Sequence, residues 1–428
     1  MTARLAAPVL LPFAAYVLWW VLGIGDFVWI IAGAVILAMW VGARGVRIPP
    51  VFLWWFLFVA WVAVTLVMND SAGRFIGAVY RLLLYISAGL LALHTYHARH
   101  SLTVWNVTRA MVWFLAGMSA VGYLALAFPQ AVIRTPASWV MPASLARNEL
   151  VEQMIIRRMT HWNPAAWIDQ AVRPVAPFLY ANTWGNVYSL VLPLVLLHLW
   201  LAWHTRARWP VVFVVLASVY PALSTLNRGM FIGLGVVLLW VALQAVRRGR
   251  VLTALGGLAV AAGAATAWLL SPLGSLLLAR VDTTYSTVDR LALYRATVEA
   301  VWHSPVVGYG SPRPAEEPWL PSLGTQGQLW TVLYSHGVVG AALFLGFLLG
   351  AFLLMVQRRD VVGSVLGGIV LATVVETIFY GMMTGIMVSF VVIALGLRPD
   401  TALSSGDRPG TGARRASTGP RPMRRWPA

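Results

Sequence analysis

The sequence predicts an all-α fold, a polytopic membrane helix bundle of about twelve transmembrane helices with two long extracytoplasmic loops. Three observations predict it. Sixty per cent of the 428 residues are hydrophobic and only 11% are charged, against about 25% in a soluble domain. The apolar residues fall in runs near the length of about 20 that crosses a bilayer as helix. The chain also has 22 Trp, many at the ends of those runs, where indole rings favour the membrane interface.

Taken in order, the apolar runs place helices at about 8–24, 27–43, 51–68, 75–95, 104–128, 177–203, 209–226, 229–246, 251–271, 329–356, 361–380 and 383–397. The first is a retained helix, because no small-residue cleavage site follows it. Alternate connections carry Arg44 and Arg47, Arg99, Arg206 and Arg208, Arg247, Arg248 and Arg250, and Arg358 and Arg359. The positive-inside rule puts these in the cytoplasm, so both termini are expected inside and the chain in the cytoplasmic (inner) membrane. The formal charge of +17 is then accounted for by short loops and the tail, and nucleic acid is not needed as a partner. Absence of Cys excludes disulfides and thiolate metal sites.

Residues 1–397 form the membrane domain. Residues 398–428, rich in Pro, Gly, Ser and Arg, have too few apolar side chains to fold alone and read as a disordered basic cytoplasmic tail near anionic lipid. The long loops cover 129–176 and 272–328. The first contains MPASLARNELVEQMIIRRMTHW, whose pattern suggests an amphipathic interfacial helix. In the second, Ser286 and Asp289 resemble a capping box, followed by a helical run with Val288, Leu291, Tyr294, Val298, Val301 and Trp302 apolar, ending before Pro305.

Several outward residues have the chemistry to bind a ligand. Arg228, in STLNRGMFIG, lies in a very tight connection beside Asn227, Ser224 and Thr225. A guanidinium fork there suits phosphate oxygens, or it snorkels and merely ends a helix. Arg290 shares a helix face with Tyr294. A cation in a first helical turn opposes the helix dipole, a cost that a bound anion would offset. Arg295 competes with it, and pairing with Asp289 or Glu299 is the structural alternative. Asn182, Thr183, Trp184 and Asn186 enter the sixth helix. Their amides suit sugar hydroxyls, with Trp184 or Tyr180 stacking on a sugar face, or they bond between helices. Glu376 is the acid well inside an apolar run, with Arg81 as its expected charge partner. His94, His97 and His100 have metal-like spacing, but no carboxylate or thiol accompanies them, which favours a solvated helix end.

Three ordered segments resemble the O-antigen ligase and polysaccharide polymerase superfamily (WaaL/Wzy-like). They are the asparagine-bearing helix entry at 180–194, the Asn-Arg-Gly turn at 227–229, and the loop from Arg290 through HSPVVGYG at 303–310 to SHGVVG at 335–340. The resemblance covers roughly residues 170–345, and the topology agrees over the whole chain. It implies a GT-C-like, metal-independent glycosyltransferase without cofactor. Such a protein takes a glycan from a polyprenyl-pyrophosphate carrier, and adds it to a glycan, lipid or cell-wall acceptor outside the membrane. It implies that Arg228 and Arg290 engage the pyrophosphate. On this reading Asn227, Asn182, Trp184, Asn186, Tyr294 and Arg295 are the expected substrate-binding residues. The chain departs from the family at Gln326, where a histidine thought to act as base usually stands. Gln cannot take a proton at neutral pH, so Gln326 would only orient the acceptor, and His303, Glu316 and Glu317 are the expected sources of a base. His336 is expected to be packed within a helix. The alternative function is a transporter or flippase of lipid-linked glycans.

Overall fold

The computed structural model describes residues 2–41, 47–162, 172–276, 286–315 and 321–398. The basic tail beyond Arg398, and Glu316 and Glu317, lie outside the described residues. The protein is mostly helical. Helices α1 (Thr2–Ala14), α2 (Tyr16–Leu22), α3 (Val28–Trp40), α4 (Phe52–Thr65), α5 (Ala72–His97) and α6 (Val104–Ala127) form the first half. A small insertion follows: β1 (Val132–Arg134), α7 (Ala137–Val140), α8 (Ala143–Ala146), α9 (Glu149–Ile155) and β2 (Ile156–Arg158). The second half comprises α10 (Ala181–Ala202), α11 (Arg208–Ser224), α12 (Arg228–Arg247), α13 (Val251–Leu269), α14 (Ser286–His303), α15 (Gln328–Met355), α16 (Val361–Glu376) and α17 (Met383–Gly396).

Six helices, α5, α6, α10, α12, α13 and α15, are long and apolar enough to cross a membrane. The first expected span is a pair, α1 and α2, bent by 68°. The other apolar runs are shorter helices, including α3, α11, α16 and α17. Of the twelve or so spans expected, six are helices of full length among the described residues, or seven if the bent pair is one span, and the remaining runs are apolar helices of 10–17 residues.

The core is organised on α17 and α10. Every residue of α17 after Met383 is buried. A helix apolar on all sides has no face to offer solvent and belongs at the centre of a bundle. It packs against α5, α10 and α16. By contrast α13 buries only Ala254 and leans on α12 alone among the longer helices.

The connections sort onto two ends. At one end Arg398 donates to the Leu102 carbonyl at 2.7 Å and Arg248 to the Arg359 carbonyl at 2.7 Å. Arg398, assigned to the tail from sequence, is buried and belongs to the bundle. His94, expected at a solvated helix end, is also buried there. Trp40 Nε1 donates to its Nδ1 at 3.3 Å, and its Nε2 lies 2.6 Å from the Leu5 carbonyl. Among the described residues no group of three His, Asp or Glu is placed to hold a metal ion.

The insertion is at the opposite end, and it corrects the single amphipathic helix expected there. Pro142 interrupts the run, Asn148 starts a new helix by accepting from the Leu150 amide, and Ile156–Arg158 leaves as a strand antiparallel to Val132–Arg134. The second loop behaves as its sequence predicts at its ends, with α14 running from Ser286 to His303. Its buried stripe, however, is Leu293, Thr297 and Val301, while Leu291, Val298 and Trp302 are exposed.

The HSPVVGYG and SHGVVG segments meet directly. Helix α15 is broken at Gly337, which has φ +66°. The break lets Val338 N–H reach the Pro305 carbonyl at 2.7 Å, while Tyr309 and Gly310 amides donate to the carbonyls of Tyr334 and Ser335. The Pro305 and Val306 carbonyls leave no room for a Cβ at Gly337. His336 is buried beside this break with Nδ1 2.7 Å from Thr65 Oγ1, in agreement with its expected packed role.

Candidate functional site

Arg228 and Arg290 line one narrow cleft, which Arg173, Asn182, Asn227, Phe379 and Tyr380 complete. None of the described lining residues is Asp, Glu or His. Three guanidinium groups without a lining carboxylate make a cleft whose chemistry favours an anion, and whose planar donors match phosphate oxygens.

Each arginine is brought there by a different element. Arg228 is the first residue of α12, at the helix N-terminus, where the backbone amides already favour negative charge. The turn before it is as tight as the sequence predicts, and Leu226 has φ +48°, a left-handed conformation costly for a branched side chain. Arg290 comes from the first turns of α14. Tyr294, one turn on, fixes that helix. It stacks on Trp330 with ring centroids 4.5 Å apart, and its hydroxyl donates to the Ile378 carbonyl at 3.3 Å. Burial pushes the Tyr294 hydroxyl above its ordinary pKa of 10.0, with Arg290 pulling the other way. Arg173 enters on the strap before α10, where its Nε donates to the Thr225 carbonyl at 2.6 Å. Arg173 and Tyr380 were not singled out in the sequence.

Below the arginines the cleft rests on a buried polar network. The Tyr380 hydroxyl donates to Asn227 Oδ1, and Asn227 Nδ2 donates to the Ala181 carbonyl at 3.2 Å. Deeper, Glu376 accepts from Asn186 Nδ2 and Ser189 Oγ, both at 2.5 Å. These, rather than Arg81, are its observed partners. Gly185 and Gly229 leave space for Asn227 and Tyr380, and Gly233 for Glu376, where any Cβ would collide. Small residues four apart on α12 thus let α16 approach closely.

The other sequence-identified residues are placed elsewhere. Trp184 is fully buried and stacks on Tyr188 at 5.6 Å, and Asn186 belongs to the Glu376 network, so neither lines the cleft. Only Asn182 of that trio reaches it. Arg295 is exposed on a separate groove with Tyr294, Val298, Glu299 and Trp302. His303 is exposed at the end of α14, 13 residues past Arg290, about 20 Å along a helix axis. Its Nδ1 faces the Glu299 carbonyl at 3.1 Å. Gln326 is partly buried on the loop into α15. Two residues on, at the start of α15, the backbone N–H of Gln328 donates to the Tyr380 carbonyl at 2.6 Å, but Gln326 does not itself line the cleft.

A second concavity of about 330 Å³ lies across the strap, walled by α9, β2 and residues 175–179. Glu149, Glu152, Gln153, Arg157, Arg158 and His161 supply its polar lining. Arg157 is 2% exposed and pairs with Asp26 at 2.7 Å. Compared with protein-family models and with curated proteins, the chain matches none.

Proposed function

We propose that the chain is a cytoplasmic-membrane glycosyltransferase with about twelve crossings, both termini in the cytoplasm and the arginine cleft on the extracytoplasmic side. It transfers or polymerises a glycan from a polyprenyl-pyrophosphate carrier onto an acceptor, as an O-antigen ligase-like enzyme or polysaccharide polymerase. The observation that carries this reading is the convergence of Arg173, Arg228 and Arg290 on one cleft without a lining acid.

In this reading the leaving group is a lipid diphosphate. As the sugar C1–O bond breaks, negative charge grows on the diphosphate oxygens. Fixed guanidinium groups and the α12 N-terminus stabilise that charge more than the ground state, which is what lowers a barrier. Asn227, held by Tyr380 and the Ala181 carbonyl, keeps the Arg228 turn in place. Asn182 offers a carboxamide to the adjoining sugar. The alternative, a flippase of lipid-linked glycans, would use the same cleft for binding without bond cleavage.

The test is glycan profiling in a deletion strain complemented with wild type, Arg228→Ala or Arg290→Ala at matched membrane abundance. Restoration of long or attached chains by wild type alone is the expected result. Accumulated short lipid-linked units would then identify a polymerase, and long unattached chains a ligase. Full restoration by both variants would refute the assignment.

A further inference from the structure

Among the described residues the cleft is lined by no carboxylate or imidazole that could take a proton from an acceptor hydroxyl, and its neighbour supplies one. Thr160 and Pro174 form an isolated antiparallel bridge. His161 and Arg173 are the next residues out from that bridge, so they flank it on facing strands. Arg173 points its chemistry into the cleft, while His161 lines the second concavity. His161 and Arg173 thus stand close enough for the Arg173 charge to act on the imidazole, and the two cavities adjoin at this pair.

His161 Nε2 lies 3.0 Å from the Leu179 carbonyl. A carbonyl only accepts, so this nitrogen carries the hydrogen and Nδ1 keeps the lone pair. The ring stacks on Tyr180 at 6.1 Å, and the Tyr180 hydroxyl donates to Gln153 Oε1 at 3.1 Å, which fixes the ring and the pocket edge together. Arg158 and Arg173 face the imidazole, and Glu149, Glu152 and Arg157 share its pocket. Partial burial, and then those two arginines, hold His161 below its ordinary 6.5, so it is neutral at physiological pH.

The pocket itself differs chemically from the cleft. Arg157 is buried, yet among the described residues its Nε and Nη2 have no hydrogen-bond partner. Its charge is already met by Asp26 and its nitrogens are sealed from solvent, so the donors that face the pocket come from Arg158. Glu149, Glu152 and Gln153 offer acceptors. Donors and acceptors side by side suit a ligand whose groups both give and accept hydrogen bonds, as sugar hydroxyls do. The volume is within the lower part of the range of about 300–1,000 Å³ for small-molecule sites.

We propose that this second pocket binds a neutral sugar of the acceptor, and that His161, where it adjoins the cleft, takes the proton of the attacking hydroxyl. The proposal rests on the transferase reading for its second half. In the step, the acceptor oxygen bonds to the donor anomeric carbon as its proton passes to His161 Nδ1. The bond from that carbon to the diphosphate breaks, and its electron pair leaves with the diphosphate against the arginines. The histidine then returns the proton to water.

Saturation-transfer NMR on the full chain in nanodiscs, with free glucose, galactose, rhamnose and N-acetylglucosamine as probes, tests the pocket. At least one sugar is expected to bind wild type and Arg228→Ala alike, and to lose its signal in Glu152→Gln/Gln153→Ala. No signal from any probe, or an unchanged signal in the double variant, overturns the sugar site. Transfer from lipid-linked donor in membranes tests the base. His161→Ala is expected to slow it on the order of 10²–10⁴-fold and to remove the acid limb of the pH profile. A wild-type rate with an unchanged profile overturns that role. Sugar binding with no effect of Arg228→Ala or Arg290→Ala on glycan assembly would sink the transferase reading and leave the sugar site standing. Strong arginine effects with no sugar binding would do the reverse.

Discussion

The arginine cleft and the Arg157 pocket lie on two sides of one strap, and they treat the same side chain in opposite ways. In the cleft, Arg228 is exposed, Arg173 and Arg290 are half-buried, and none of the described lining residues is an acid. In the pocket, Arg157 is sealed in and matched to Asp26. The difference follows from solvation. A fully buried charge without a partner costs several kcal/mol, so a buried arginine has to bring its own acid. A partly hydrated arginine keeps much of its solvation, so its fold does not require an acid in the same wall. Burial therefore separates the arginine that holds the fold from those placed to meet an anion.

The largest expected effect is on the buried side of this comparison. Arg157→Met leaves Asp26 buried alone, and thermal unfolding in detergent should show a loss of about 3–5 kcal/mol. Arg157→Met/Asp26→Asn should recover most of it, because the uncompensated charge is gone. Equal losses in the single and double variants would show that packing, not charge, is what Arg157 contributes.

On the exposed side the stability cost should be small and the functional cost large. Arg173→Ala is expected to lower glycan transfer about 10²–10³-fold, the usual consequence of losing one preorganised donor to a developing oxyanion. Arg173→Lys should recover only part of this, since an ammonium lacks the planar fork. Unfolding temperature close to wild type distinguishes this from a structural role, and a wild-type rate in Arg173→Ala would remove it from the site.

How much of this was readable in advance depends on the range of the interaction. The apolar runs gave the helices, and the tight Asn-Arg-Gly turn and the start of α14 gave Arg228 and Arg290, because each is encoded within a few neighbouring residues. Asp26 and Arg157 are 131 positions apart, and nothing local marks either as half of an ion pair. Arg173 and Tyr380 enter the cleft through a strap and a helix junction that only the packing of α10, α12 and α16 brings together. Trp184 and Asn186 read as site residues because an indole and a carboxamide at the mouth of the bundle suit a sugar, but α10 is buried on nearly every side, and successive residues turn about 100° away from Asn182. The expected interfacial helix is divided for a local reason that was visible: Pro142 starts α8, and Asn148 caps a second helix, α9, six residues on.

The support beneath the cleft gives an intermediate effect. Gly233→Ala places a methyl against Glu376, and Gly229→Ala against Phe379 and Tyr380. Overpacking of this kind costs about 1–3 kcal/mol, and both should lower the unfolding temperature. Only Gly229→Ala should also slow transfer strongly, because Tyr380 holds Asn227 beside Arg228. Equal transfer defects in the two would mean that the cleft responds to general loosening rather than to the Tyr380–Asn227 contact.

The smallest effect concerns pH and returns to the pair at which the two cavities adjoin. His161 titrates below its ordinary 6.5 in the folded protein, because burial disfavours the imidazolium and Arg158 and Arg173 repel it. The unfolded chain therefore binds the proton more readily than the folded one as pH falls from about 6.5, the ordinary His value. The stability associated with the neutral ring is fully present above that value and is lost as pH falls from it toward the lowered folded value. Unfolding temperature measured from pH 7.5 to 5 should therefore fall less steeply in His161→Gln than in wild type, by a modest margin because the ring is partly solvated. Adding Arg173→Ala to wild type should also flatten the slope, since it removes one of the two repelling charges. Parallel slopes in all three proteins would mean that the imidazole does not feel Arg173, and that the pocket and the cleft are electrostatically separate.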